Sequence, residues 1–164
     1  MKKLTITGVI VVGITMITGA ALADRKNYPG SACMPEHPSA ASYRLDAGRA
    51  TVTGGGWTGF TCPIVQEDST VCPNDMDVHG YDGNGAAGSS YDFVCNFQSF
   101  NTLTGSLLTS STKTSSGGGV IDWDWGAMSC YGGQESSLHL FCGIPGPESG
   151  SGDLSYIFGY SVDE

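Results

Sequence analysis

Four residues, Asp122-Trp123-Asp124-Trp125, form the tetrapeptide with the most distinctive chemistry in this 164-residue chain. Read as a strand, Ile121, Trp123 and Trp125 share one face, and Asp122 and Asp124 take the other. Two indoles two positions apart could stack on a sugar ring while the carboxylates bond its hydroxyls. The competing use is packing, because large aromatics on the apolar face of a strand usually enter a core. Exposure of both tryptophans would favour the glycan use, and burial the structural one.

A second constellation is Asp75, Asp77, Asp82 and Asn84, a set of hard oxygen ligands that could hold calcium. Asp75, Asp77, His79 and Gly80 match part of a calcium loop, but His79 stands where an oxygen ligand belongs. Ala86 stands where that loop needs a bidentate Glu, which excludes an EF-hand. Asp82-Gly83-Asn84-Gly85 also has the composition of a hairpin turn, and that is the preferred reading. No metal or cofactor is therefore expected to be required.

Enzyme signatures are missing. The chain contains no G-x-S-x-G, no H-E-x-x-H and no P-loop. His37, His79 and His139 lie on separate segments. Nothing selects a Ser-His-Asp triad, and nothing selects a glycosidase pair from Asp122, Asp124 or Glu135.

The elements that must position these residues are strands. Period-two patterns mark Trp57 to Val65, Tyr91 to Phe97, Leu138 to Cys142 and Leu154 to Val162, with weaker ones at Arg49 to Thr53, Met76 to Tyr81, Thr102 to Thr109 and Val120 to Trp125. In Leu154 to Val162 the expected buried face is Leu154, Tyr156, Phe158, Tyr160 and Val162. Gly54-Gly55-Gly56, the Thr/Ser/Gly tract 109–119 and the segment 143–153 read as turns and loops. No sustained helical period occurs. The expected fold is all-β: a single antiparallel β-sandwich of about eight strands.

The N-terminus sets the compartment. Lys2 and Lys3 precede the apolar run from Leu4 to Gly19, and Ala21-Leu22-Ala23 has the small-x-small form that a signal peptidase cuts. Residues 1–23 therefore read as a signal peptide cleaved at Ala23-Asp24, and 24–164 as one periplasmic or secreted domain. The domain holds five basic against sixteen acidic residues, a net charge of −11. Such an excess argues against nucleic acid as a partner. No later apolar run is long enough to span a bilayer. Gly30-Ser31-Ala32-Cys33 lacks the aliphatic residue of a lipid-attachment box.

All six cysteines, Cys33, Cys62, Cys72, Cys95, Cys130 and Cys142, lie in the domain. An even number in an exported chain predicts three disulfides, with fifteen connectivities open. The closest two, Cys62 and Cys72, are ten positions apart, unlike zinc ligands.

Six short motifs run in order: Tyr28-Pro29-Gly30-Ser31-Ala32-Cys33, Thr61-Cys62-Pro63-Ile64-Val65, Tyr81-Asp82-Gly83, Val94-Cys95-Asn96-Phe97, Leu140-Phe141-Cys142-Gly143-Ile144-Pro145 and Ser155-Tyr156 through Tyr160-Ser161-Val162-Asp163-Glu164. In this order the chain resembles a group of small exported proteins of Gram-negative bacteria, over nearly the whole domain. The resemblance implies fold and export and supplies no catalytic residue. It also implies a common set of Cys33, Cys62, Cys95 and Cys142, with Cys72 and Cys130 as an added pair bonded to each other. Within the common set, Cys62–Cys142 with Cys33–Cys95 is favoured, because the first joins two core-phased strands. The expected function is a non-catalytic surface, matrix or binding protein with a glycan or protein ligand. The alternative is a glycan-directed protein, either a carbohydrate-binding module or a small hydrolase.

Overall fold

The structure is a computed structural model that describes residues 25–38, 42–67, 70–84, 92–133, 136–147 and 153–164. The expected signal segment, its cleavage junction, Tyr91 and Glu135 lie outside the described residues.

Among the described residues every regular element is a strand, apart from one 3-10 turn at Gly30–Ala32. In order the strands are β1 (Arg25–Pro29), β2 (Met34–Pro35), β3 (Tyr43–Asp46), β4 (Arg49–Val52), β5 (Trp57–Ile64), β6 (Asp75–Asp82), β7 (Val94–Asn101), β8 (Ser106–Thr109), β9 (Lys113–Thr114), β10 (Gly119–Asp124), β11 (Ser136–Pro145) and β12 (Tyr156–Asp163). Each of the eight expected segments contains a strand. The additional ones, β1, β2, β3 and β9, are short or polar and carry little periodic signal. One of them, β9, lies within the tract 109–119 that reads as a loop.

Two antiparallel sheets form the sandwich. The first runs β10-β6-β12-β4-β3, with β1 also paired to β12; the second runs β2-β5-β11-β7-β8, with β9 also paired to β7. Alternation does the rest: one side chain in two points between the sheets. From the second sheet come Phe60, Cys62, Ile64, Cys95, Phe97, Leu138, Leu140, Cys142 and Ile144; from the first come Ala50, Val52, Met76, Val78, Ile121, Ile157, Tyr160 and Val162. Tyr160 joins the two layers directly, its hydroxyl donating to the Pro63 carbonyl at 2.6 Å.

Two corrections to the expected arrangement bear on function. The register of β12 against β6 shifts between Ile157 and Gly159. The extra residue of such a bulge reverses the alternation. Tyr160 and Val162 face the core as expected, but Ile157 replaces Tyr156 and Phe158 there, and Phe158 is 57% exposed. Secondly, β6 and β7 belong to different sheets, so no hairpin joins them and Asp82 serves no hairpin turn. Its carboxylate is buried and accepts from the backbone N–H of Asn84 (3.0 Å) and Phe93 (3.4 Å) and from the Ser155 (3.3 Å) and Ser115 hydroxyls. It thereby ties the end of β6 to three other segments.

The disulfides are Cys33–Cys62, Cys72–Cys130 and Cys95–Cys142. The added pair is as expected; Cys62–Cys142 and Cys33–Cys95 are not. Register is the reason. Strands β5 and β11 are neighbours, but Cys62 lies opposite Leu140, and Cys142 lies opposite Phe60 and, on its other side, Cys95. Cys95–Cys142 therefore links register partners of β7 and β11, and Cys33–Cys62 ties the residue before β2 to β5, with Cα separations of 4.2 and 4.0 Å.

Candidate functional site

The bulge in β12 turns two aromatics onto the outer surface of the first sheet. Tyr156 pairs in register with Tyr81 of β6. Their rings stack at 5.6 Å between centroids, 23° from parallel. On the other side, β4 presents Arg49. Its guanidinium lies 4.7 Å from the Tyr156 ring centre and 5.8 Å from that of Phe158. Arg49 thus lies within cation–π distance of both rings.

Polar groups flank the rings. His79 and Asp122 oppose each other across β6 and β10, with Nδ1 3.0 Å from a carboxylate oxygen. On β3, Arg44 and Asp46 pair at 2.6 Å. Two adjoining depressions share Arg49, Tyr81 and Tyr156. The larger, about 560 Å³, extends over Arg44, Asp46 and Asp153; the smaller, about 380 Å³, extends over His79, Asp122, Val120 and Phe158. The face thus combines aromatic rings with charged and polar groups around two depressions. Such a lining suits a ring-shaped polyhydroxylated molecule.

The tryptophans expected to carry that task lie elsewhere. Trp123 and Trp125 share the inner face of β10, as their spacing predicts, and both are half-buried against the core. Trp123 meets Phe93 edge-on, Trp125 meets Phe97 edge-on, and the two indoles stand at 85° to one another. The Trp125 indole N–H donates to the Ser111 carbonyl at 2.7 Å. Crossed rings of this kind offer no common plane for a sugar. Their sequence neighbours do reach the outer face, where Asp122 joins the site described above. Arg49, Tyr81 and Phe158 carried no sequence signal of a ligand role; only the sheet order brings them together.

The alternative use of Asp75, Asp77, Asp82 and Asn84 as one four-residue calcium site would need them to converge, and they do not. Asp82 and Asn84 are buried, whereas Asp77 lies five residues back along β6 and therefore on the opposite face. Asp124 joins Asp75 and Asp77 instead, with one oxygen of each within 4.8 Å of the others. Arg25 of β1 pairs with Asp75 at 3.5 Å and with Asp77, so this acidic group has an internal counter-ion. Burial and the hydrogen-bonded, like-charged Asp124 push the Asp75 carboxyl above its ordinary value, against the pull of Arg25.

The second sheet also exposes an aromatic. Trp57 is 46% exposed and lies across Gly143, where any side chain would collide with the indole, with Phe141 at 6.0 Å. His139, on the same surface, contacts the Gln98 side-chain oxygen at 2.9 Å. Burial lowers its pKa against the pull of Glu36, which keeps the ring neutral at pH 7.

No family model matches the chain, and no curated protein matches its sequence. Among solved structures, the chain is similar to a low-affinity xylan-binding module, CBM86, from Roseburia intestinalis. The identity is 9% and the TM-score 0.50, over 86% of this chain and 96% of that one. It is also similar to the CBM22-1 xylan-binding domain of Paenibacillus barcinonensis Xyn10C, at 9% identity and TM-score 0.45, over 88% and 96% of the two chains. At this identity the first likeness bears on fold alone: the chain has the β-sandwich architecture of such modules.

Proposed function

We propose that the protein is a non-catalytic carbohydrate-binding domain that works outside the cytoplasm after loss of residues 1–23. Its ligand surface is the outer face of the first sheet. The observation that carries this reading is the outward-turned trio of Tyr81, Tyr156 and Phe158 with Arg49 beside two of the rings. A pyranose has one C–H-rich face and a polar rim, and packing that face on the exposed Phe158 leaves its hydroxyls to His79 and Asp122. The known ligand of the similar modules, xylan, is of this chemical kind. Three disulfides fit an oxidising compartment, and none of the described residues forms a helix long and apolar enough to cross a membrane. A hydrolase is the weaker reading: its general acid needs a carboxyl raised by burial, and the Asp122 side chain is 75% exposed.

Affinity electrophoresis of the oxidised protein in gels containing plant and microbial polysaccharides tests this. Retardation by at least one glycan is expected, and Tyr156→Ala should weaken it about tenfold, equivalent to ~1.4 kcal/mol. Trp57→Ala, on the opposite sheet, should leave it unchanged. Loss of binding in the Trp57 variant and not in the Tyr156 variant would move the site to the second sheet. No retardation by any polysaccharide would overturn the reading.

A further inference from the structure

Five basic residues serve a domain with sixteen acidic ones, and four of the five are engaged within the protein. Arg25 pairs with Asp75 and Asp77, Lys26 with Glu67 and Glu164, and Arg44 with Asp46. Lys113 donates to the Asp124 carbonyl and lies over Trp125. Arg49 is different. Among the described residues no carboxylate lies within ion-pairing distance of it, although Asp46 is its register partner across the β3–β4 hairpin. Asp46 is held by Arg44 instead. The Arg49 Nε is buried and makes no hydrogen bond within the protein. A buried N–H donor without an acceptor costs stability, and this guanidinium lines both depressions of the ligand face.

The two rings hold it in place, with the guanidinium carbon 4.7 Å from the Tyr156 centroid and 5.8 Å from that of Phe158. A guanidinium carries its N–H groups in one plane, the fork that grips a carboxylate through two parallel hydrogen bonds. Asp153 borders the larger depression but lies beside Gly83, past the end of β6, whereas Asp46 is held by Arg44 and Asp122 contacts His79.

We propose that the ligand is an acidic glycan, a polymer containing uronic acid residues, and that Arg49 binds the uronate carboxylate while the exposed Phe158 packs on a neighbouring ring. This rests on the carbohydrate-binding reading and narrows it to a ligand class. The step is binding only; no bond is made or broken.

The test is calorimetric titration of the mature oxidised protein with oligogalacturonate, and with the same oligomers after reduction of each carboxyl to the alcohol. Work at ~0.15 M salt limits repulsion between two polyanions to distances below about 8 Å. The acidic oligomer should bind at least about tenfold tighter than its reduced partner, since a charge-assisted fork is worth ~1.4 kcal/mol or more. Arg49→Lys keeps the charge but loses the fork. It should cost about tenfold against the acidic oligomer and under about threefold against the reduced one. The comparison of the two oligomers on the unaltered protein needs no variant, so misfolding cannot obscure it. Equal binding of both oligomers, or binding of neutral xylan with rejection of oligogalacturonate, overturns the uronate assignment and leaves the carbohydrate reading intact. A preference that survives both Arg49→Lys and Arg49→Gln overturns the role of Arg49. Failure of every acidic and neutral glycan overturns both readings.

Discussion

Asp82 allows the sharpest test of how this sandwich is held together. Its carboxylate is buried and serves as common acceptor for the backbone N–H groups of Asn84 and Phe93 and the hydroxyls of Ser115 and Ser155. Replacement by alanine removes all four at once. A hydrogen bond to a charged acceptor contributes about 1.5–3 kcal/mol, but the four do not add. Ser115 Oγ still accepts from the Phe93 N–H, at 3.0 Å, and Ser155 Oγ still accepts from the Gly83 N–H, at 3.0 Å. Two of these six bonds therefore survive, and the expected loss for Asp82→Ala is ~3–4 kcal/mol, a large share of the 5–15 kcal/mol typical of a domain. For a chain of this size that lowers the melting midpoint by about 10–15 °C. Asp82→Asn keeps the shape and one acceptor oxygen, and its amide can donate to a serine hydroxyl, so it should lose roughly half as much. Guanidinium unfolding of the oxidised proteins gives the difference directly, provided the slope with denaturant is unchanged. A loss for alanine below ~1 kcal/mol at constant slope would refute the network. So would a loss that depends on added calcium, which would restore the oxygen-ligand reading of Asp82 and Asn84.

Two further outcomes follow from the same geometry. Because the folded-state pKa of Asp75 is raised, the folded chain takes up its proton first, and stability contributed by this group grows as pH falls through the raised value and is complete below the unfolded value of 3.8. Asp75→Asn removes the titration, so its melting midpoint relative to the parent should be highest near neutrality and decline towards pH 4; a difference that does not vary with pH would contradict this. Cys72–Cys130 closes a sequence separation of 58 residues between loop segments, and replacing both cysteines by serine should cost about 2–4 kcal/mol. The Tyr81–Tyr156 face is built without that bridge, so glycan affinity of the double variant should be unchanged at temperatures where it remains folded.

Much of this architecture is local and therefore legible in the chain. Period-two alternation reports which side chains can share a face, and it located all eight long or apolar strands, including the inward Trp123 and Trp125 with Asp122 and Asp124 outward. The even cysteine count, read with the expected export, foretold three disulfides. What alternation cannot report is which strand lies beside which, or in what register. A slip of two residues leaves every face unchanged, yet it separates Cys62 from Cys142 and sets Cys95 opposite Cys142. One extra residue in β12 reverses a phase that the sequence displays without interruption and moves Tyr156 and Phe158 from core to surface. Asp82 reads as a turn residue because its Asn and Gly neighbours are turn formers, and only the crossing of β6 to the other sheet makes it an internal acceptor. Arg49, Tyr81 and Tyr156 are spread over more than a hundred positions, and no spacing rule relates them. They become one surface because long-range backbone pairing, satisfied only in the folded sheet, sets β4, β12 and β6 side by side.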